Sequence, residues 1–501
     1  MTVRDSEFAA VALLVFASAQ GFVVSEPGFG GWDVEPIPAP PGLPLPVEQF
    51  YEFQSLDHFD GSNFQYWKQR YFMNNVTYRP GGPVFLMLGG QSAANSVWLV
   101  TGAWYEYARE HGAFMVLLEH RFFGESTPTD NITSSSLRFL SSRQALADNA
   151  QFIADLKRWY QHPIQDSKVI VFGGGYSGSL AAWMRSHYPY IVDGAVASSA
   201  PIFATLDFTE YYVAVTNTLA SVNPACPIAI KNATSTMYEW WGQPDKRIIM
   251  QKIFRLCDKI NHDALLDLTV FFYNLAENFA RVVQFNGLDL QFLGLKNNNL
   301  TIEQVCDVMT DESRGDSVHR YAAVNSMVLD SIGQECTNFQ YTKLITSLNQ
   351  INWGSESAKG GRQRLYQICG EFGWARTSES SKQPFGNFWT FPWNFTTDQC
   401  ADVICHTWGG SQVQDKCDQT NRFYGGLELP ISNVVFVNGA LDPWRVVSSN
   451  GTLPNAYGDH ESILIEGTAH CADMMPPKMT DPPGLVDARK KISDHIGLWI
   501  K

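Results

Sequence analysis

Short apolar runs that stop at a turn recur along this chain. Val84 to Leu88 runs into Gly89 and Gly90, Phe114 to Leu118 into Glu119, and Val169 to Phe172 into Gly173. Runs of this length with no polar position predict strands buried on both faces, as in a parallel sheet. Between them the spacing turns helical, most clearly over Ser142 to Tyr160. Strands and helices therefore alternate, which is what a doubly wound α/β sheet requires. Two more runs of the strand kind come only near the end, Val434 to Val437 and Ile463 to Ile465, each ahead of a glycine-containing turn. The stretch between about 206 and 425 differs: it has helical spacing, as in Asn261 to Val283, and lacks the strand-then-glycine pattern. It is expected to be a mostly helical insertion that leaves the sheet and returns. No internal repeat is found.

The ends and the linkers follow from composition. Phe8 to Ala19 is apolar and closes on the small residues Ala17, Ser18 and Ala19. It is too short to cross a bilayer, which needs about 20 residues, and reads as a secretory signal peptide over residues 1–20. Seven prolines between Pro27 and Pro46 mark residues 21–49 as an extended leader. The sheet-forming core then occupies 50–205 and 426–501, with the helical cap at 206–425 between its two parts. No later stretch is apolar enough to span a membrane. Of the 501 residues, 45% are hydrophobic, which excludes disorder as the main state. Lys and Arg number 36 against 50 Asp and Glu, a net charge of -14, so nucleic acid is excluded as a partner.

Export changes how cysteine and asparagine are read. The nine cysteines all lie from Cys226 onward, eight of them in the cap region and the last at Cys471. In an oxidising compartment they predict up to four bridges and one leftover thiol, with the pairing open. No C-x-x-C or histidine-rich spacing points to a metal, and no cofactor is expected. Six N-x-Thr sequons, at Asn75, Asn131, Asn232, Asn299, Asn394 and Asn450, fit a glycosylated protein of the secretory pathway, extracellular or lysosomal.

The segment Val169 to Arg185, VIVFGGGYSGSLAAWMR, joins an apolar strand to an Ala-rich helix through clustered glycines. This is the pattern of a nucleophile elbow, where a strained turn lifts one side chain above the sheet. Asp442 follows one late strand in VNGALDPW, and His470 follows the other in IEGTAHC. Catalytic groups of open α/β sheets gather beyond the carboxyl ends of the strands, and the order elbow, Asp, His is that of an α/β-hydrolase. A hydroxyl nucleophile needs an imidazole to take its proton and a carboxylate to hold that imidazole. Backbone N–H groups of Tyr176 and of the loop Gly89 to Ser92, Gly90 and Gln91 in particular, are the expected oxyanion donors.

Five segments in order carry a resemblance to a known family: QSLDHFDGSNFQYWKQRYFMN (54 to 74), GGPVFLMLGG (81 to 90), LLEHRFFGEST (117 to 127), LRFLSSRQALAD (137 to 148) and VASSAPIFATLDFTEYY (196 to 212). With YQICGEFGWART (366 to 377) in the insertion, they resemble the serine exopeptidases that include lysosomal Pro-Xaa carboxypeptidase, dipeptidyl peptidase II and thymus-specific serine protease, nearest to the last. The resemblance implies an α/β-hydrolase core with a helical cap, a peptide as ligand, and hydrolysis often beside proline. It leaves a homodimer open, as well as the choice between amino-end and carboxyl-end cleavage.

The resemblance also exposes a departure. The family's elbow resembles G-G-S-Y-x-G, and the matching positions here are Gly173, Gly174, Gly175, Tyr176, Ser177 and Gly178. Gly175 therefore stands where the nucleophilic serine is expected. The loop that often reads G-G-E-G has Gly89, Gly90, Gln91 and Ser92. Ser177 lies in G-Y-S-G-S and is the substitute nucleophile in an alternative reading, although it falls two residues past the expected apex. Two outcomes follow for the chain: an exopeptidase acting through Ser177 with Asp442 and His470, or a catalytically silent member that binds peptides. The position of Gly175 favours the second. His58 and the trio Glu119, His120 and Arg121 are expected in buried paired roles rather than in catalysis.

Overall fold

The computed structural model describes residues 44–159, 164–288, 300–449, 451 and 460–501. The expected signal peptide, the leader up to residue 43, and the sequons Asn299 and Asn450 lie outside the described residues.

Eight strands form one sheet in the order β1-β2-β4-β3-β5-β6-β9-β10. They are β1 (Gln49–Ser55), β2 (Tyr66–Asn74), β3 (Val84–Leu88), β4 (Phe114–Leu118), β5 (Val169–Gly174), β6 (Gly194–Ser198), β9 (Val434–Gly439) and β10 (His460–Ile465). β2 runs antiparallel to β1 and β4, and every other pairing is parallel. Alternate residues of β3 enter two separate cores. Val84, Leu86 and Leu88 face one shared with Leu146 and Leu180, whereas Phe85 and Met87 face another shared with Trp104 and Ile492. These partners lie on α1 (Ala103–His111), α2 (Ser142–Trp159), α3 (Tyr176–His187) and, near the carboxyl end, Pro483–Trp499. Helices therefore cover both faces of a mostly parallel sheet, the architecture of an α/β-hydrolase core.

Burial on both faces is why β3, β4 and β5 read as unbroken apolar runs. β6 gives a weaker signal for a packing reason. Its sequence is GAVAS, and a Cβ on Gly194 would lie 2.2 Å from the ring of Trp499, so the helix above demands glycine at that position. The region between β6 and β9 also holds a feature with no signal in the sequence pattern. Two three-residue strands, β7 (Thr205–Asp207) and β8 (Gly373–Ala375), pair in parallel. The rest of that region is mainly helical, with α4 (Glu210–Val222), α5 (Ala225–Trp241), α6 (Leu265–Gln284) and α7 (Ser317–Ile332) packed together.

The cysteine expectation is revised. Three bridges form, Cys226–Cys306, Cys257–Cys336 and Cys369–Cys400, and Cys405, Cys417 and Cys471 remain thiols. All three bridges sit in the insertion and none in the sheet. No described helix is long and apolar enough to cross a membrane.

Candidate active site

β5, β9 and β10 lie parallel within the sheet, so their carboxyl ends open on the same edge. At the end of β5 the chain turns into α3 through Gly175, whose φ of 62° and ψ of −131° place it in a region that residues with a Cβ rarely adopt. The Gly175 N–H donates to the Ser198 carbonyl at 3.0 Å, and the Ser179 N–H donates to the Gly175 carbonyl at 3.2 Å. The elbow is thus pinned to β6 on one side and to its own helix on the other. Its neighbours are tightly packed: a Cβ on Gly173 would meet the Ser177 carbonyl oxygen at 2.1 Å, and one on Gly174 would meet Met474 Sδ at 2.4 Å.

Ser177 is occupied elsewhere. Its hydroxyl donates to the Gly174 carbonyl at 2.9 Å and accepts the Gly174 N–H at 3.0 Å, closing the first turn of α3. No hydrogen bond joins it to His470.

Asp442 and His470 are brought together. The His470 ring Nδ1 lies 2.8 Å from Asp442 Oδ2, and the other carboxylate oxygen accepts the Trp444 N–H at 3.0 Å. The two residues are 1% and 0% exposed. The His470 backbone N–H donates to the Gln284 carbonyl at the end of α6, which ties this turn of the main chain to the insertion. Burial pushes the imidazole pKa down, but the Asp442 carboxylate and the Cys471 thiol beside it more than reverse this, so its protonated form is held well above the usual range. Nε2, the nitrogen that would take a proton from a nucleophile, is buried and has no hydrogen-bond partner among the described residues.

The loop after β3 is fixed from two directions. Glu119 receives Arg70 through both carboxylate oxygens, and one of them also accepts the Ala94 N–H at 3.1 Å. Gln91 donates its amide to Gln367 at 2.8 Å, and its carbonyl accepts Arg364 at 2.7 Å, both from the insertion. Gln367 in turn donates to the Tyr176 hydroxyl at 3.1 Å, which also lies 3.2 Å from His120 Nε2. Burial takes the His120 pKa down to about 4, so it stays neutral there. Among the described residues, no hydrogen bond takes up the backbone N–H of Gly90 or Gln91. A cavity of about 50 Å³ lies beside this loop, bounded by Gly90, Ser92, Trp98, Gly174 and Met474. Arg121 and His58 both close on Asp148, at 2.5 Å and 2.7 Å, with Arg121 and Asp148 buried and His58 partly so.

The family described as serine carboxypeptidase S28 matches residues 54–492. The chain belongs to that family. Human thymus-specific serine protease is 33% identical over 455 residues, covering 89% of this chain and 86% of its own. Mouse lysosomal Pro-X carboxypeptidase is 28% identical over 472 residues, 92% of this chain and 90% of its own. Among solved structures, a proline iminopeptidase from Mycobacterium smegmatis aligns over 90% of this chain and 98% of its own, at 11% identity and a TM-score of 0.38.

Within this S28 chain some residues at the site carry no signal in sequence spacing. Gln284 accepts both the Tyr211 hydroxyl, at 3.0 Å, and the Trp444 indole N–H, at 3.1 Å, through Oε1. Trp444 sits in the D-P-W turn and is the part of this trio that attention to Asp442 could have caught. Gln284 ends a helix whose apolar periodicity gives no reason to single it out. Asp473, three residues past His470, accepts the Ser198 hydroxyl, and burial raises its pKa to about 6.

Proposed function

We propose that this protein is an S28 member that keeps the acid–base pair of a serine exopeptidase but has lost its nucleophile at Gly175, and that it binds peptides without hydrolysing them efficiently. The observation carrying this reading is the combination of an elbow backbone at Gly175 with an unpartnered His470 Nε2. Asp442 fixes the tautomer of His470 and stabilises its charge, as in a triad, but the imidazole has no hydroxyl to activate. Loss of a triad nucleophile lowers turnover by roughly 10⁶-fold in a serine protease of another fold. The backbone N–H groups of Tyr176, Gly90 and Gln91 are the oxyanion donors of this reading.

Ser177 is a poor substitute because its hydroxyl already serves the Gly174 amide and carbonyl. A misplacement of about 1 Å is enough to lower rates some 100-fold. The secretory reading rests on the N-terminal pattern, the bridges in the insertion, and the sequons. Asn75, Asn232 and Asn394 are exposed and open to glycosylation, and Asn131 is partly so.

The test is labelling by a fluorophosphonate probe together with hydrolysis of dipeptidyl and Pro-Xaa reporter peptides. The unaltered protein is expected to do neither, and Gly175→Ser is expected to gain both. Strong labelling of the unaltered protein that vanishes in Ser177→Ala overturns the proposal and makes the chain a working peptidase.

A further inference from the structure

Four residues of α6 and its cap follow one another at helical spacing, Glu277, Arg281, Gln284 and Phe285, and so share one face. The stripe ends at the site: the Phe285 ring meets the His470 ring edge-on at 6.1 Å, and the Gln284 carbonyl accepts the His470 N–H. At its far end Glu277 is fully engaged, receiving Arg376 at 2.6 Å and the Tyr212 hydroxyl. Arg281 between them is not. Among the described residues no hydrogen bond or ion pair takes up its guanidinium, and its side chain is partly open to solvent. Since Arg376 already balances Glu277, Arg281 leaves one uncompensated positive charge on this face. Burial, together with the neighbouring Arg376, pushes the pKa of Arg281 down against the pull of Glu277 and Tyr211.

A second donor points the same way. Gln284 is fully buried and its Nε2 is without a partner. The amide orientation is fixed by chemistry, because the indole N–H of Trp444 can only donate and must face Oε1. A guanidinium and an unsatisfied amide N–H, on the turn of α6 that leads to Phe285, offer donors and no free acceptor, which suits an anion.

We propose that Arg281, with Gln284, is the anchor for the free α-carboxylate of a bound peptide, so that this site holds the carboxyl end of its ligand. The proposal rests on the peptide-binding reading above. One helical turn, about 5.4 Å, is close to the rise of one or two extended residues. A carboxylate held at Arg281 therefore sets the last peptide bonds of the ligand beside His470. An amino terminus is disfavoured there, since the one acidic side chain of the stripe is already paired.

The experiment uses the full-length protein, immobilised, and two synthetic random tripeptide libraries, one with free carboxyl ends and one amidated, with retained peptides counted by mass spectrometry. Free acids are expected to be retained over amides by about tenfold, the effect of one charge-assisted pair. Arg281→Gln is expected to bring that ratio to about one while amide retention stays unchanged, and Arg281→Lys to recover part of it. Equal retention of acids and amides by the unaltered protein overturns the carboxylate anchor and leaves peptide binding standing. An acid preference that survives in Arg281→Gln also overturns it. Retention of neither library overturns the anchor and the peptide-binding reading together.

Discussion

The two sides of the site differ in what they keep. At the Asp442–His470 corner the side chains are complete, in contact and sealed from water. At the elbow the backbone is complete and the side chain is missing: Gly175 holds φ 62° and ψ −131°, with its N–H on Ser198 and its carbonyl on Ser179. The difference shows that the shape of an elbow is set by its neighbours in the sheet and helix, not by the nucleophile it carries. Glycine even removes the strain that a Cβ would bring to that conformation. On the proposed reading, this fold keeps the groups that position an attack while lacking the atom that attacks.

The largest effect expected from breaking this contrast is restoration of the missing atom. Gly175→Ser should raise reporter-peptide hydrolysis by several orders of magnitude, up to roughly 10⁶-fold, whereas Ser177→Ala alone should change nothing measurable in the same assay. The next is dependence on the other side. In the Gly175→Ser background, Asp442→Asn should lower kcat by about 10⁴-fold, as loss of the orienting carboxylate does in a related triad on another fold. Activity that survives this change would mean the intact corner is structural.

Stability effects are smaller. Replacing Cys226 and Cys306 by serine should lower the free energy of unfolding by about 2–5 kcal/mol, read by denaturant titration, because that bridge closes a long loop in the insertion. Gly175→Ser should itself cost about 1–3 kcal/mol in the same measurement, and no loss at all would show that the elbow is less constrained than its angles indicate.

The smallest effect concerns Glu371, half-buried where it caps α2 by accepting the Ser142 N–H and hydroxyl. Burial raises its pKa from 4.5 to about 7. The folded protein therefore binds a proton there more tightly than the unfolded chain, and stability rises as pH falls through that window. Relative to Glu371→Gln, the unfolding midpoint of the unaltered protein should climb between about pH 7 and pH 4.5. A difference that stays flat with pH would place Glu371 outside this behaviour.

Much of the core was legible because its strands are buried on both faces. β3 and β4 have the predicted bounds, and β5 and β9 run two residues further, into their terminal glycines. β6 was invisible since Trp499 leaves no room for a side chain at Gly194 and the rest of the strand, AVAS, is too small to read as an apolar run. β7 and β8 escaped notice because three residues carry no period, and their pairing depends on contacts across the insertion. At the site, Asp442, His470 and Gly175 stand out by their places after strands. Gln284 and Arg281 do not, because their roles arise from which helix face meets His470. The bridges were bounded but not assigned: three cysteines stay reduced, which no spacing encodes.

The strand order has a consequence for how the molecule comes into being. β9 and β10 join the sheet beside β6 only after the whole insertion has been synthesised. On the ribosome the bend at Gly175 therefore emerges before the insertion, and the carboxylate and the imidazole emerge only after it. Any chain truncated before Asp442 lacks both halves of the proton-handling pair, whatever residue occupies the bend.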